Sequence, residues 1–242
     1  MTSIEFPEKE IIDYCKSKYP EEEACGIVVV VKGRYKFIPC KNIVTSHKDE
    51  NFAIHPLDYA SAEDEGVIYA IVHSHVNQNA VFSYVDTEYQ RKQGTPWFLV
   101  GLLNGEVTTA WLKNQKQEQP LFGRKYVWQL YDCYSFIRDY YKEKYSINLP
   151  DFYRDFEFWK SGKELYLENF MEAGFSEIPI QDMKEGDVIL LQLAGNVTSH
   201  GGIYINGNKI AHHINGRLSS IDIYGKFYQD RTTKVVRHKE LV

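Results

Sequence analysis

Two histidines, a serine and an aspartate within a short span are the residues of this sequence best suited to chemistry: His73-Ser74-His75, then Ser83 and Asp86. Two imidazoles and a carboxylate give three donors, and three protein ligands with a fourth position open are the pattern of a catalytic rather than a structural zinc site. The elements that must position them can be read nearby. Val67-Ile68-Tyr69-Ala70-Ile71-Val72 is a short, β-branched, apolar run that reads as a buried strand. His73 and His75 lie at its end, two residues apart, so both leave the same face. Ser83 stands where a helix should begin, and Asp86 falls in that helix's first turn. Ser83-x-x-Asp86 equally describes a capping-box-like helix start, which needs no catalysis.

A second constellation lies farther along. Asp132-Cys133-Tyr134-Ser135-Phe136-Ile137 opens an amphipathic helix with Cys133 in its first turn, where the helix dipole favours thiolate and lowers the thiol pKa. Three strands follow: Gly186–Leu191, His200–Ile205 and Lys209–Ile214, the last two joined by Asn206-Gly207 as a hairpin. His200 and His212 then face each other across the sheet, and His213 reads as the outward neighbour of His212. A thiol with an imidazole and a third polar group is the general design of an activated cysteine. A buried cysteine is also commonly a small core residue.

The rest of the chain bounds these readings. At 242 residues it suits one large or two ordinary domains. A net charge of −5 offers no electrostatic case for nucleic acid. No apolar run approaches the length of a membrane-spanning helix, and Met1-Thr2-Ser3-Ile4-Glu5 lacks a signal-peptide pattern. Four cysteines (Cys15, Cys25, Cys40, Cys133) without regular spacing suggest a reducing compartment. The polar stretch from Leu112 to Pro120 separates an N-terminal domain, residues 1–114, from a C-terminal one, residues 115–242. Just before it, Trp97–Leu103 and Val107–Trp111 read as a hairpin turning at Asn104-Gly105.

The run His73-x-His75-x(7)-Ser83-x(2)-Asp86 resembles the signature of the JAMM (JAB/MPN) metallopeptidases. Glu23-Ala24-Cys25-Gly26, after a helix expected over residues 7–18 and before the strand Ile27–Val31, supplies that family's upstream glutamate. The resemblance implies an α/β/α, cytidine-deaminase-like fold. It also implies Zn2+ held by His73, His75 and Asp86, Glu23 as general base on the attacking water, and Ser83 stabilising the oxyanion. Among Glu21, Glu22 and Glu23, family spacing selects Glu23. Val76 replaces the Pro that often follows the second histidine.

The C-terminal half is similar to the NlpC-type cell-wall peptidases, papain-like cysteine enzymes with an antiparallel sheet. Their pattern maps the nucleophile onto Cys133, the base onto His200 and the orienting residue onto His212. Tyr134 and Ser135 depart from the usual Ser-Gly. The overall fold class is therefore expected to be α+β in two domains. Both motifs in this order resemble phage tail-tip assembly proteins. That implies other tail-tip proteins as partners, a host-cytoplasm stage during assembly, and a peptidoglycan peptide substrate cut at a γ-D-glutamyl–diamino-acid bond. It leaves the zinc half to process a tail protein. The alternatives are a structural scaffold that retains hydrolase folds, or a free-standing JAMM isopeptidase.

Overall fold

The computed structural model describes residues 2–113, 116–155 and 157–241. The expected division between positions 114 and 115 lies outside those residues. Internal contacts gather into two compact units, Met1–Glu118 and Gln119–Val242.

The first unit is a six-stranded sheet between helices. Its elements are β1 (Thr2–Ser3), α1 (Glu8–Lys18), β2 (Cys25–Val31), β3 (Arg34–Cys40), α2 (Pro56–Glu65), β4 (Val67–Val76), α3 (Tyr84–Gln93), β5 (Trp97–Leu103) and β6 (Glu106–Leu112). The order is β1-β3-β2-β4-β5-β6, with β4 and β5 parallel and the other pairs antiparallel. Apolar side chains leave both faces of the central strands, so both faces need cover. Ile11 and Cys15 of α1 pack on Val28, Val72, Phe98 and Val100. Ala62 of α2 and Tyr89 of α3 pack on the opposite face with Ile27, Ile71 and Trp97.

Two local features differ from or refine the sequence reading. β4 runs on through both histidines, because His73 pairs with Cys25 of β2 and His75 with Gly101 of β5. The β5–β6 turn has Asn104 at φ 51° and Gly105 at φ 84°, the left-handed pair that a tight hairpin with right-handed strand twist requires.

The second unit contains α4 (Cys133–Tyr145), α5 (Leu165–Glu172), β7 (Phe175–Ile178), β8 (Val188–Leu191), β9 (His200–Ile205), β10 (Lys209–His212), β11 (Ser220–Ile223), α6 (Lys226–Gln229) and β12 (Thr232–His238). The sheet, ordered β11-β10-β9-β8-β12-β7, is antiparallel throughout. Phe136, Ile137 and Tyr141 of α4 form the main core with Val188, Leu190, Ile203 and Val236. Ile189, Leu191 and Ile210 point to the other face, against Tyr224 and Tyr228.

The strand starting at Gly186 in the sequence reading begins instead at Val188, since Gly186 adopts a left-handed φ of 98°. β10 ends at His212 and not at Ile214. Beyond it the chain turns, and His213 is fully buried with Nε2 3.2 Å from the Arg217 carbonyl oxygen. The outward position expected for His213 is thus wrong: period-2 alternation stops where the strand does.

Candidate functional site

In the first unit, β4 and the start of α3 bring His73, His75 and Asp86 together, with one donor atom from each within 4.8 Å of the others. His73 Nε2 lies 3.5 Å from Asp86 Oδ1, and His75 Nε2 lies 3.4 Å from Asp86 Oδ2. All three are buried. Phe52 stacks on the His73 ring at 4.6 Å, and Trp97 meets it edge-on at 5.3 Å, fixing the imidazole in dry surroundings.

Glu23, at the entry to β2, is buried, with Oε1 4.0 Å from His75 Nε2. Its backbone is held on three sides. Glu23 N donates to the Lys48 carbonyl, Asn42 Nδ2 donates to the Glu23 carbonyl, and the next amide, Ala24 N, donates to Ser74 Oγ. Glu21 is exposed, and Glu22 pairs with Lys18 and Lys48. Burial separates Glu23 from its acidic neighbours. Ser74 and Asn42 were not singled out in the sequence. Ser74 carries one legible signal, a polar residue between two ligand candidates whose side chain must leave the opposite face.

Ser83 caps α3. Its Oγ accepts from Asp86 N at 3.1 Å, while Asp86 Oδ2 accepts from Ser83 N at 2.7 Å. The capping box is therefore present, and it also orients Asp86. The loop from Asn77 to Phe82 lies against Gly101, where a Cβ would stand 2.2 Å from Ala80 N. Only glycine admits that approach.

The electrostatics favour a cation. Burial, then Asp86, pushes the Glu23 carboxyl up to about 9. Burial also works against the charged form of Asp86, but the His73 and His75 imidazoles beside it outweigh burial and hold its carboxyl well below the usual range. Burial pushes His73 down. His73 Nδ1 and His75 Nδ1 are buried without a hydrogen-bond partner, and His73 Nε2 meets only Asp86 Oδ1, at 3.5 Å and outside good hydrogen-bond geometry, an arrangement costly unless something binds there. Two imidazoles and a carboxylate at this spacing fit a zinc ion.

In the second unit Cys133 begins α4, as the sequence suggested. Asp132 caps the helix: Oδ1 accepts from Ser135 N at 2.8 Å, and Oδ2 accepts from Gln129 N at 3.0 Å and Arg154 Nε at 2.6 Å. Arg154 and Asp132 are wholly buried. Tyr134 and Ser135 serve this core. The Tyr134 hydroxyl donates to the Pro150 carbonyl, and Ser135 Oγ donates to the Gln129 carbonyl.

The thiol itself differs from expectation. Burial, then the Asp132 carboxylate, pushes Cys133 up to about 11, although hydrogen bonds to Tyr166 and the Gly201 backbone pull the other way. At 3 % exposure the thiolate loses its solvation, the largest of the effects on this thiol. The side chain that hydrogen-bonds it is Tyr166, whose hydroxyl lies 2.9 Å from Sγ, and not an imidazole.

His200 and His212 do meet across the hairpin, Nε2 to Nδ1, at 3.1 Å. His212 Nε2 continues to Asp222 Oδ2 at 3.3 Å. Asp222 and Arg154 escaped the sequence reading. The signal for Asp222 was its place in the alternating strand Ser220-Ile221-Asp222-Ile223, and for Arg154 a lone cation beside Phe152 and Tyr153.

Comparison with known proteins bears on both units. The model for prokaryotic homologs of the JAB domain matches residues 8–113, and that for the NlpC/P60 family matches residues 123–237. The first unit is thus JAB-like and the second NlpC/P60-like. A crystal structure described as similar to a lipoprotein of the NLP/P60 family, from Staphylococcus aureus, aligns at a TM-score of 0.35 and 14% identity over 96% of this chain and 61% of that one. A likeness that slight carries no argument. The chain is 32% identical to the tail tip assembly protein K of Escherichia phage lambda over 184 residues, 76% of this chain and 88% of that protein. To the protein of the same name from Escherichia phage N15 it is 32% identical over 233 residues, 96% of this chain and 93% of that protein. With its sequence shared along nearly the whole length and a JAB-type domain ahead of an NlpC/P60 domain, the chain belongs to the phage tail tip assembly protein K family.

Proposed function

We propose that this chain is a two-site hydrolase of tail-tip assembly, present in the host cytoplasm while tails are built, with other tail-tip proteins as partners. The second unit cleaves the peptide stems of peptidoglycan at a γ-D-glutamyl–diamino-acid bond. Cys133 is the nucleophile, His200 its base, and His212 orients His200. The observation that carries this reading is the hydrogen-bonded line from His200 through His212 to a carboxylate, beside the helix that Cys133 opens. The resting thiol is neutral and covered, so Tyr166 gives way as the substrate carbonyl approaches Sγ.

In the first unit His73, His75 and Asp86 would hold zinc, and this unit trims a tail protein. Bound there, zinc supplies Lewis-acid polarisation of the scissile carbonyl. Glu23 takes the proton of the attacking water, and a cation held beside it would favour the ionised carboxylate that this step needs. Ser83, whose oxygen accepts from Asp86 N, retains its own O–H to donate toward the developing oxyanion.

Peptidoglycan digested with the full chain and with Cys133→Ala tests the first assignment. Cut muropeptides, read by mass spectrometry, should appear only with the unaltered protein; no cleavage by either removes it. On the same samples, about one zinc per chain should be found and lost in His73→Ala.

One observation favours a scaffold reading. Cys133 lies within the main apolar core, hydrogen-bonded to a phenol. Under that reading a Cys133→Ser, His75→Ala double variant still supports tail assembly; failure of that variant to do so rejects it.

A further inference from the structure

Asp222 lies at the end of a line of side chains that the proposed peptidase chemistry uses only in part. It sits on β11, where its register partner is Ile210, and His212 lies two residues along on the same face of β10. Asp222 Oδ2 receives three groups: His212 Nε2 at 3.3 Å, Arg217 Nη1 at 2.9 Å and the Tyr228 hydroxyl at 2.7 Å. Oδ1 accepts from Arg217 Nη2 at 3.1 Å. A two-pronged guanidinium and a phenol hold this carboxylate in one orientation. Burial raises its pKa, but the bonds from Arg217, Tyr228 and His212 outweigh that and bring it to about 2.

An ionised carboxylate only accepts hydrogen bonds. His212 must therefore carry its proton on Nε2. Burial keeps His212 neutral, so its Nδ1 bears a lone pair. That atom faces His200 Nε2 at 3.1 Å, and His200 must donate from Nε2. Burial, with His212 and His213 nearby, keeps His200 neutral as well, which leaves its Nδ1 unprotonated. Without a fixed acceptor at Nε2 the opposite arrangement becomes equally available. His212 would then donate from Nδ1, and His200 would carry its proton on Nδ1.

We propose that Asp222 is a positioning residue that sets the tautomers of His212 and His200 in series, so that His200 presents Nδ1 to take the Cys133 proton. The proposal rests on reading Cys133 and His200 as nucleophile and base. In the step it prepares, the Sγ–H bond breaks, a bond from Nδ1 to that proton forms, and the electron pair stays on sulfur. The resulting imidazolium is stabilised through His212 by the Asp222 charge.

The test uses the full chain labelled with nitrogen-15. Imidazole nitrogen shifts and their couplings to ring protons report which nitrogen carries hydrogen. Both His200 and His212 should be Nε2–H in the unaltered protein, an observation that needs no variant to fold. Asp222→Ala should move either ring into a mixture containing Nδ1–H. Alkylation of Cys133 by iodoacetamide at neutral pH should slow at least about tenfold in that variant, the factor that one pKa unit of the thiol carries. Tyr228→Phe, which leaves carboxylate and Arg217 in place, should keep both tautomers. His200 found protonated at Nδ1 in the unaltered chain, or both tautomers unmoved in Asp222→Ala, overturns the proposal. The spectra require no turnover. A chain that shows the expected tautomers but cuts no muropeptide refutes the peptidase reading alone.

Discussion

Replacing Arg154 by Met removes one half of a wholly buried ion pair, and the structure sets the size of the loss. Arg154 is among the largest fully buried side chains, and its guanidinium spends itself on Asp132, Asp151 Oδ1 and the carbonyls of Phe152 and Gln129. In Arg154→Met, Asp132 keeps its bonds from Gln129 N and Ser135 N but loses the 2.6 Å contact to Nε while staying buried. Stranding one charge of a buried pair costs roughly 3–5 kcal/mol. Met packs favourably against the rings of Tyr134 and Phe152 that the guanidinium now covers, so packing offsets part of this and electrostatics supplies the loss. For a unit of this length each kcal/mol corresponds to roughly 4 °C. Calorimetry at neutral pH should then show the transition of the second unit lowered by roughly 12–20 °C. Adding Asp132→Asn removes the stranded charge and keeps an oxygen to cap α4, so the double variant should melt above the single one. A fall of less than about 4 °C in Arg154→Met, below what about 1 kcal/mol gives, would refute this reasoning. So would a double variant less stable than the single.

Gly101→Ala should drive the loop from Asn77 to Phe82 off β5, because the added carbon would meet Ala80 N at 2.2 Å and the Asn79 carbonyl carbon at 2.4 Å. Zinc affinity, measured by chelator competition, should fall by about 10–100-fold, as when supports of a metal site are lost; unchanged affinity contradicts the role given to that loop. Ser83→Asn preserves the cap on α3, whereas Ser83→Ala costs about 1 kcal/mol of unit stability. If the hydroxyl also acts in hydrolysis, both variants lose turnover but only Ser83→Ala loses stability; full turnover in Ser83→Asn limits Ser83 to capping. Burial, with Arg124 nearby, depresses His213 to about 4, so its contribution is full above the unfolded value near 6.5 and is lost as pH falls through about 4. His200 and His212, also depressed, act in the same direction. The melting temperature of the second unit should drop as pH is lowered from 6.5 toward 4, less steeply in His213→Gln. An equal slope in that variant would show that His213 does not carry the acid sensitivity.

Residues that meet through local geometry were legible in the sequence, and residues that meet through packing were not. His73 and His75 share a face because strand periodicity demands it, and Ser83 and Asp86 adjoin because a helix turn does. The hairpin that brings His200 to His212 was readable from its Asn-Gly turn. Asp222 reaches His212 only through a strand pairing whose register no local signal sets. Arg154 lies in the irregular chain beyond α4 and folds back onto the start of that helix to reach Asp132. Glu23 stood out from Glu21 and Glu22 by family spacing alone; the physical difference, burial against Ser74 and Asn42, belongs to the assembled sheet. The thiol of Cys133 misled for a related reason. A helix start is visible in sequence, but the wall of Tyr166 and the core around it is not.

That wall also sets how long the sulfur survives. Cys133 is 3% exposed and held near a pKa of about 11. At neutral pH the thiol form then dominates over thiolate, the form that peroxides and electrophiles consume. Burial and the raised pKa both act to slow oxidation of this residue. The same cover that a substrate must displace is thus what shields the sulfur from the oxidation ladder between encounters.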